Sequence, residues 1–84
     1  MFEIINEKVS VLSKYNRETG SVFPAKIKWQ GRVYNIKSVS YYHRIREGRT
    51  IFHIFHVTDS VLDFKLKLDS ETLHWLLMEV TDGN

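Results

Sequence analysis

Leu62-Asp63-Phe64-Lys65-Leu66-Lys67-Leu68 sets an apolar side chain at every second position and a charged one between each pair. Successive side chains of a strand point to opposite faces, so this run reads as a β-strand with one face buried and the other wet. Phe23, Ala25, Ile27 and Trp29 repeat the period, with Pro24, Lys26 and Lys28 facing away. Val9, Val11 and Tyr15 mark a weaker opening strand. No segment carries a sustained 3.6-residue stripe with a cap, so little or no helix is expected.

Turn chemistry recurs between these runs. Asn16-Arg17-Glu18-Thr19-Gly20, Gln30-Gly31, Arg46-Glu47-Gly48-Arg49, Thr58-Asp59-Ser60 and Asp69-Ser70-Glu71-Thr72 each predict a reversal. Six strands follow, at 8–15, 21–29, 32–45, 50–57, 61–68 and 72–80. Short turns pair neighbours antiparallel, which makes a meander. The third strand is too long to be flat. Tyr34 and Ile36 set one phase, Val39, Tyr41 and Ile45 the other, and the slip near Lys37-Ser38 reads as a β-bulge. The expected fold is all-β: a six-stranded antiparallel meander curled into a small, partly open barrel, one domain over residues 1–84.

Two strands depart from alternation. Ile51-Phe52-His53-Ile54-Phe55-His56-Val57 and Leu73-His74-Trp75-Leu76-Leu77-Met78 are apolar on both faces. The face turned from the core needs cover, either from Phe2, Ile4 and Ile5 or from a second copy of the chain. A homodimer or other protein contact would then use Ile51, His53, Phe55, Leu76 and Met78.

With 84 residues and no cysteine, the chain is one domain held by apolar burial, without disulfides or thiolate–metal sites. No run approaches the roughly 20 apolar residues of a membrane span. Met1-Phe2-Glu3-Ile4-Ile5-Asn6-Glu7 is acidic and has no positively charged start, unlike a secretory signal. A soluble cytoplasmic protein with no membrane association is expected. Charge is unevenly spread: residues 8–49 hold ten Lys or Arg against Glu18 and Glu47, whereas residues 50–84 hold Lys65 and Lys67 against six acids. Such asymmetry fits a polyanion partner for the first half, or charge complementarity between the halves within the fold.

His53 and His56, three apart on a strand, point to opposite faces and share no ion. His43 and His74 bring no carboxylate or thiolate at chelating spacing, so no metal is expected. The acids fall in turns or on an outward face, and no Gly-rich phosphate loop occurs, which argues against catalysis and against a cofactor. The cations are more informative. Lys26 and Lys28 are assigned to the outer face of the second strand, Tyr42, Arg44 and Arg46 to the outer face of the third, with Arg49 just past its turn. Cations interleaved with an aromatic track a phosphate backbone while a base stacks on the ring.

The stretch Pro24-Ala25-Lys26-Ile27-Lys28-Trp29-Gln30-Gly31-Arg32-Val33-Tyr34-Asn35-Ile36, followed by Val39 and by the run from Val61 to Leu77, resembles a known pattern. It is similar to a small uncharacterised bacterial all-β domain with a W-x-G-R-x-Y-x-V core, found alone or attached to DNA-repair proteins related to translesion polymerases. The likeness spans about residues 8–80 and departs from the family at Tyr41-Tyr42-His43, where a tryptophan belongs. It implies Trp29 and Trp75 as core anchors on paired strands and Gly31 as a tight turn, and it implies no catalytic residue. The resulting expectation is a non-catalytic module that contacts single-stranded nucleic acid through Lys26, Lys28, Tyr42, Arg44, Arg46 and Arg49, alone or within a larger repair protein. The alternative is the protein-interaction or self-association module described above.

Overall fold

A computed structural model describes residues 2–82; Met1, Gly83 and Asn84, counted in the single-domain expectation, lie outside the described residues. The protein is all-β. Its strands are β1 (Phe2–Asn16), β2 (Ser21–Trp29), β3 (Arg32–Asn35), β4 (Ser38–Glu47), β5 (Thr50–Thr58), β6 (Leu62–Asp69) and β7 (Trp75–Asp82). All neighbours are antiparallel, in the order β3-β2-β1-β7-β6-β5-β4.

The turns follow their residue chemistry. Gln30 and Gly31 both take positive φ (51° and 76°), as a type I′ hairpin requires. Gly48 takes φ 62° at the head of the two-residue β4–β5 turn. In the longer loops a side-chain oxygen stands in for a backbone acceptor. Asn16 Oδ1 accepts from Glu18 N at 2.9 Å, and Asp59 Oδ1 accepts from Leu62 N at 2.7 Å. Asp69 Oδ1 likewise accepts from Glu71 N at 2.8 Å.

Three expectations need correction. The described residues form seven strands, because the long third one breaks at Ile36-Lys37 into β3 and β4, which form the two edges of the sheet. The plain meander is replaced by two meanders joined through β1, and the sheet does not close into a barrel. The opening strand starts at Phe2, well before residue 8, while Val61 and Thr72 fall in loops.

Two handovers bend the sheet. Phe2–Val9 of β1 pair with β7, and Ser10–Asn16 pair with β2. Across the molecule, Ile36 N donates to Ala25 O (2.9 Å), on the β2 side, and the next residue's amide, Lys37 N, donates to Thr58 O (2.8 Å), at the end of β5. Each long stretch thus leaves one partner for another, as a single flat ladder would not allow. The resulting extents, 33 × 30 × 23 Å, are far thicker than a flat sheet, which spans about 10 Å with its side chains. The concave face holds the core: Ile27, Phe55, Val57, Phe64, Leu66 and Leu77, with Val9, Val11, Tyr34, Trp29 and Trp75 packed around them. Trp29 and Trp75 are half-buried and pack against this core, and β2 and β7 each pair with β1 and not with each other.

The second apolar face of β5 does not find the expected cover from the N-terminal Phe2, Ile4 and Ile5. Phe2 and Ile4 are exposed, and of the N-terminal trio only Ile5 packs on the core. Instead Ile54, 1% exposed, lies between His43 and Lys67 on the convex face. The Lys67 ammonium sits 4.1 Å from the Phe52 ring centroid and 3.0 Å from Glu47 Oε1. Long cationic stems lie over apolar rings and carry their charge to water. Phe64→Ala is expected to cost about 3–5 kcal/mol in urea unfolding. Val61→Ala, at a position 69% exposed, should stay within about 0.5 kcal/mol of the parent.

Candidate interaction surface at the open seam

Cross-strand pairs share a face, so the register shows where each candidate residue points. Tyr42 faces Phe55, Arg44 faces His53 and Arg46 faces Ile51. Phe55 belongs to the core, so Tyr42, Arg44 and Arg46 lie on the concave side, contrary to the outer face expected of them. The cause is a bulge at Ser40: Val39 pairs with Val57 and Tyr41 with His56, so the phase flips there and not at Lys37-Ser38. Lys26 and Lys28 do point outward, paired with Leu12 and Ser10 of β1. The proposed cations are therefore divided between two faces. Arg49, exposed, sits in the β4–β5 turn beyond them.

The protein-contact set divides as well. Ile51, His53 and Phe55 are concave, whereas Leu76, opposite Lys67, is convex. Met78 falls where β7 shifts register against β6 and is half-buried.

What the bending does bring together is an apolar trough of about 850 Å³. Its floor is Phe55, Leu68 and Trp75. One wall is Ser21, Val22 and Phe23 at the start of β2, the other Val39, Tyr42 and His53, and Leu73 caps the end. Val22 (44%), Val39 (36%), Tyr42 (43%) and Leu73 (68%) are large apolar or aromatic residues left open to solvent around this floor. Tyr42 is held in place: its ring lies 4.9 Å from Phe55 and stacks on His53, and Tyr42 Oη and His53 Nδ1 share a 2.6 Å hydrogen bond. Leu73 adopts φ 63°, a conformation costly to a residue with a β-carbon, and its amide is tied to Asp69 O at 2.8 Å.

The sequence reading missed Val22, Val39 and Leu73. Their only signal was an apolar residue set beside a turn or bulge, where a polar one is usual. A second cleft of about 320 Å³, lined by Lys14, Phe23, Pro24, Lys26, Lys37 and Val39 among others, lies along the same parting of β2 from β4. A third depression, at Glu7, Lys28 and Trp29, has its main polar contact satisfied internally, since Trp29 Nε1 donates to Glu7 Oε2 at 2.7 Å.

On the convex face His43, His56 and Tyr41 form a ring cluster, with the two imidazole centroids 5.8 Å apart. His43 Nδ1 is buried with no hydrogen-bond partner among the described residues. No group of three metal-binding side chains occurs among the described residues, and no helix there is long and apolar enough to cross a membrane. No family model, curated protein or solved structure matches the chain.

Burial, then the charge of Lys65, then His43 hold the His56 imidazole below its ordinary value of 6.5, with Glu79 pulling the other way. The unfolded chain therefore binds a proton at His56 before the folded one does. This group's contribution is complete above about pH 6.5 and is lost as pH falls toward its lower folded value. Urea midpoints taken from neutrality down to about pH 5 should fall for the parent and fall less for His56→Gln. The His56 ring resonances should titrate below 6.5.

Proposed function

We propose that the protein is a non-catalytic binding module and that it takes up an apolar partner surface in the trough between β2 and β4. The observation that carries this reading is the placement of Val22, Val39, Tyr42 and Leu73, all open to solvent, around the floor of Phe55, Leu68 and Trp75. Contiguous exposed apolar surface in a small soluble domain marks a contact site, and a concavity of this size and lining is the usual form of one. The reading keeps His53 and Phe55 from the protein-contact set and replaces Leu76 and Met78 with residues of the seam. The curl itself supports a barrel-like binding module whose open side is the working side.

Nucleic-acid contact is the second reading. It is favoured by the alternate positions Tyr42, Arg44 and Arg46, all exposed, on one face of a free edge strand. It loses Lys26 and Lys28, which lie on the opposite face, and one side of the Tyr42 ring is already stacked on His53. A bacterial DNA-repair setting rests on the W-x-G-R-x-Y-x-V likeness alone.

The two readings separate in one experiment. A hydrophobic fluorescent dye, anilinonaphthalene sulfonate, should bind the native protein and quench Trp75, and Val39→Asp with Leu73→Asp should abolish this while the fold persists. Absence of dye binding by the parent protein would sink the trough reading. Under the second reading a single-stranded oligonucleotide should bind at low salt. Replacing Arg44 and Arg46 by Ala should then flatten the salt slope by about 1.4, from about 0.7 per contact.

A further inference from the structure

The trough is bounded by two strand edges as well as by apolar side chains. β4 is a terminal strand of the sheet, paired only with β5. β2 has β3 beside it only from Lys26 onward, so its start at Ser21–Pro24 has no strand on that side among the described residues. Between the two edges the core is reachable from the concave side through Phe23 and Tyr42, and from the outside through the cleft at Lys14, Lys26 and Lys37. The opening is therefore bordered by two strand edges. Its inner side is apolar at Val22, Val39, Tyr42 and Phe55, with Arg44 and Arg46 farther along β4, and its outer side carries Lys14, Lys26 and Lys37.

We infer that this seam is a strand-addition site. Its occupant is an extended segment of another polypeptide with apolar side chains alternating with Asp or Glu, laid antiparallel along β4. Strand addition supplies affinity through main-chain hydrogen bonds and specificity through the pockets that take alternate side chains. Side chains of a strand alternate, so one set of the guest enters the trough over Phe55 and Trp75. The other set meets Lys14, Lys26 and Lys37, which are exposed and have no ion-pair partner among the described residues. An acidic outer set is what that rim selects.

A second copy is a poorer occupant. The acidic–apolar alternation at Phe2–Glu7 of this chain is already paired to β7, and an antiparallel β4–β4 contact centred on residues 44–46 sets arginine against arginine. The inference rests on the reading of the trough as a binding surface and adds to it the edge of β4.

The probe is an acetylated peptide of about eight residues, alternating Val, Phe or Ile with Glu or Asp. Titration followed by Trp fluorescence and amide exchange should show binding with slowed exchange of alternate amides in residues 40–46. A counterpart with Lys in place of every acid should bind at least about tenfold more weakly. The Lys14→Glu, Lys37→Glu double variant, altered at two exposed positions, should reverse that preference. A peptide N-methylated at alternate residues keeps its side chains but lacks donors for one edge, and it should lose binding. Equal binding of the N-methylated peptide would overturn strand addition while leaving the trough as the contact surface. So would failure of every peptide to bind a protein that still takes up the dye. Failure of dye and peptides together would remove both readings. A concentration-dependent dimer in sedimentation that shields residues 40–46 would overturn the inference by assigning the seam to a second copy.

Discussion

Two stretches of backbone each serve two partners, and the rest of the molecule follows from that. β1 leaves β7 for β2 after Val9, and the chain after β3 leaves β2 for β5 between Ile36 and Lys37. A backbone amide that loses its ladder must find another acceptor or go to water. At the second handover the adjacent amides of Ile36 and Lys37 find acceptors on different strands, Ala25 O and Thr58 O. These bonds hold both edges of the sheet near one point. They also force the edges to diverge beyond it, so one constraint produces both the curl that encloses the core and the seam that exposes it.

The two faces of β5 illustrate how differently apolar surface is handled on either side of the sheet. On the convex side, Ile54 and Phe52 are screened by the stem of Lys67, whose charge is taken up by Glu47. Neither Lys67–Glu47 nor Lys65–Glu79 joins a cation of the basic first half to an acid of the second. Lys67–Glu47 sets a lysine of the acidic half on a glutamate of the basic half, and Lys65–Glu79 lies within the acidic half. The basic excess is not consumed by either pair. Around the seam Lys14, Lys26, Lys37, Arg44 and Arg46 stand without ion-pair partners among the described residues.

Local order also differs along the seam. The walls of the trough are held by side-chain packing and one hydrogen bond between Tyr42 and His53, whereas its end is set by a leucine in a left-handed conformation. Strain of that kind persists where the surrounding loop over-determines it, and here Asp69 does so through its carbonyl and its carboxylate, which accepts from Glu71 and Thr72. Those two amides lower the pKa of the Asp69 carboxyl below its ordinary value, so the loop keeps its acceptor well into the acid range.

Period-two alternation and turn chemistry determined, without coordinates, that the chain is all-β and antiparallel. Leu62–Leu68, Ile27–Trp29 and the turn at Gln30-Gly31 are legible because alternation and positive-φ demands are properties of neighbouring residues. The outward placement of Lys26 and Lys28 was legible for the same reason. The register shift between Leu12 and Ser13, in contrast, breaks the alternation at Ala25 and leaves Pro24, expected to face away, buried. Tertiary structure alone decided where the third strand breaks, which residue is the extra one in its bulge, and which side of the sheet receives Tyr42, Arg44 and Arg46. A bulge is defined by the strand opposite, and shifting it from Lys37-Ser38 to Ser40 turns every later side chain to the other face. The seam was hidden for a deeper reason: an unpaired edge is a relation between β2 and β4, and no run of adjacent residues contains it.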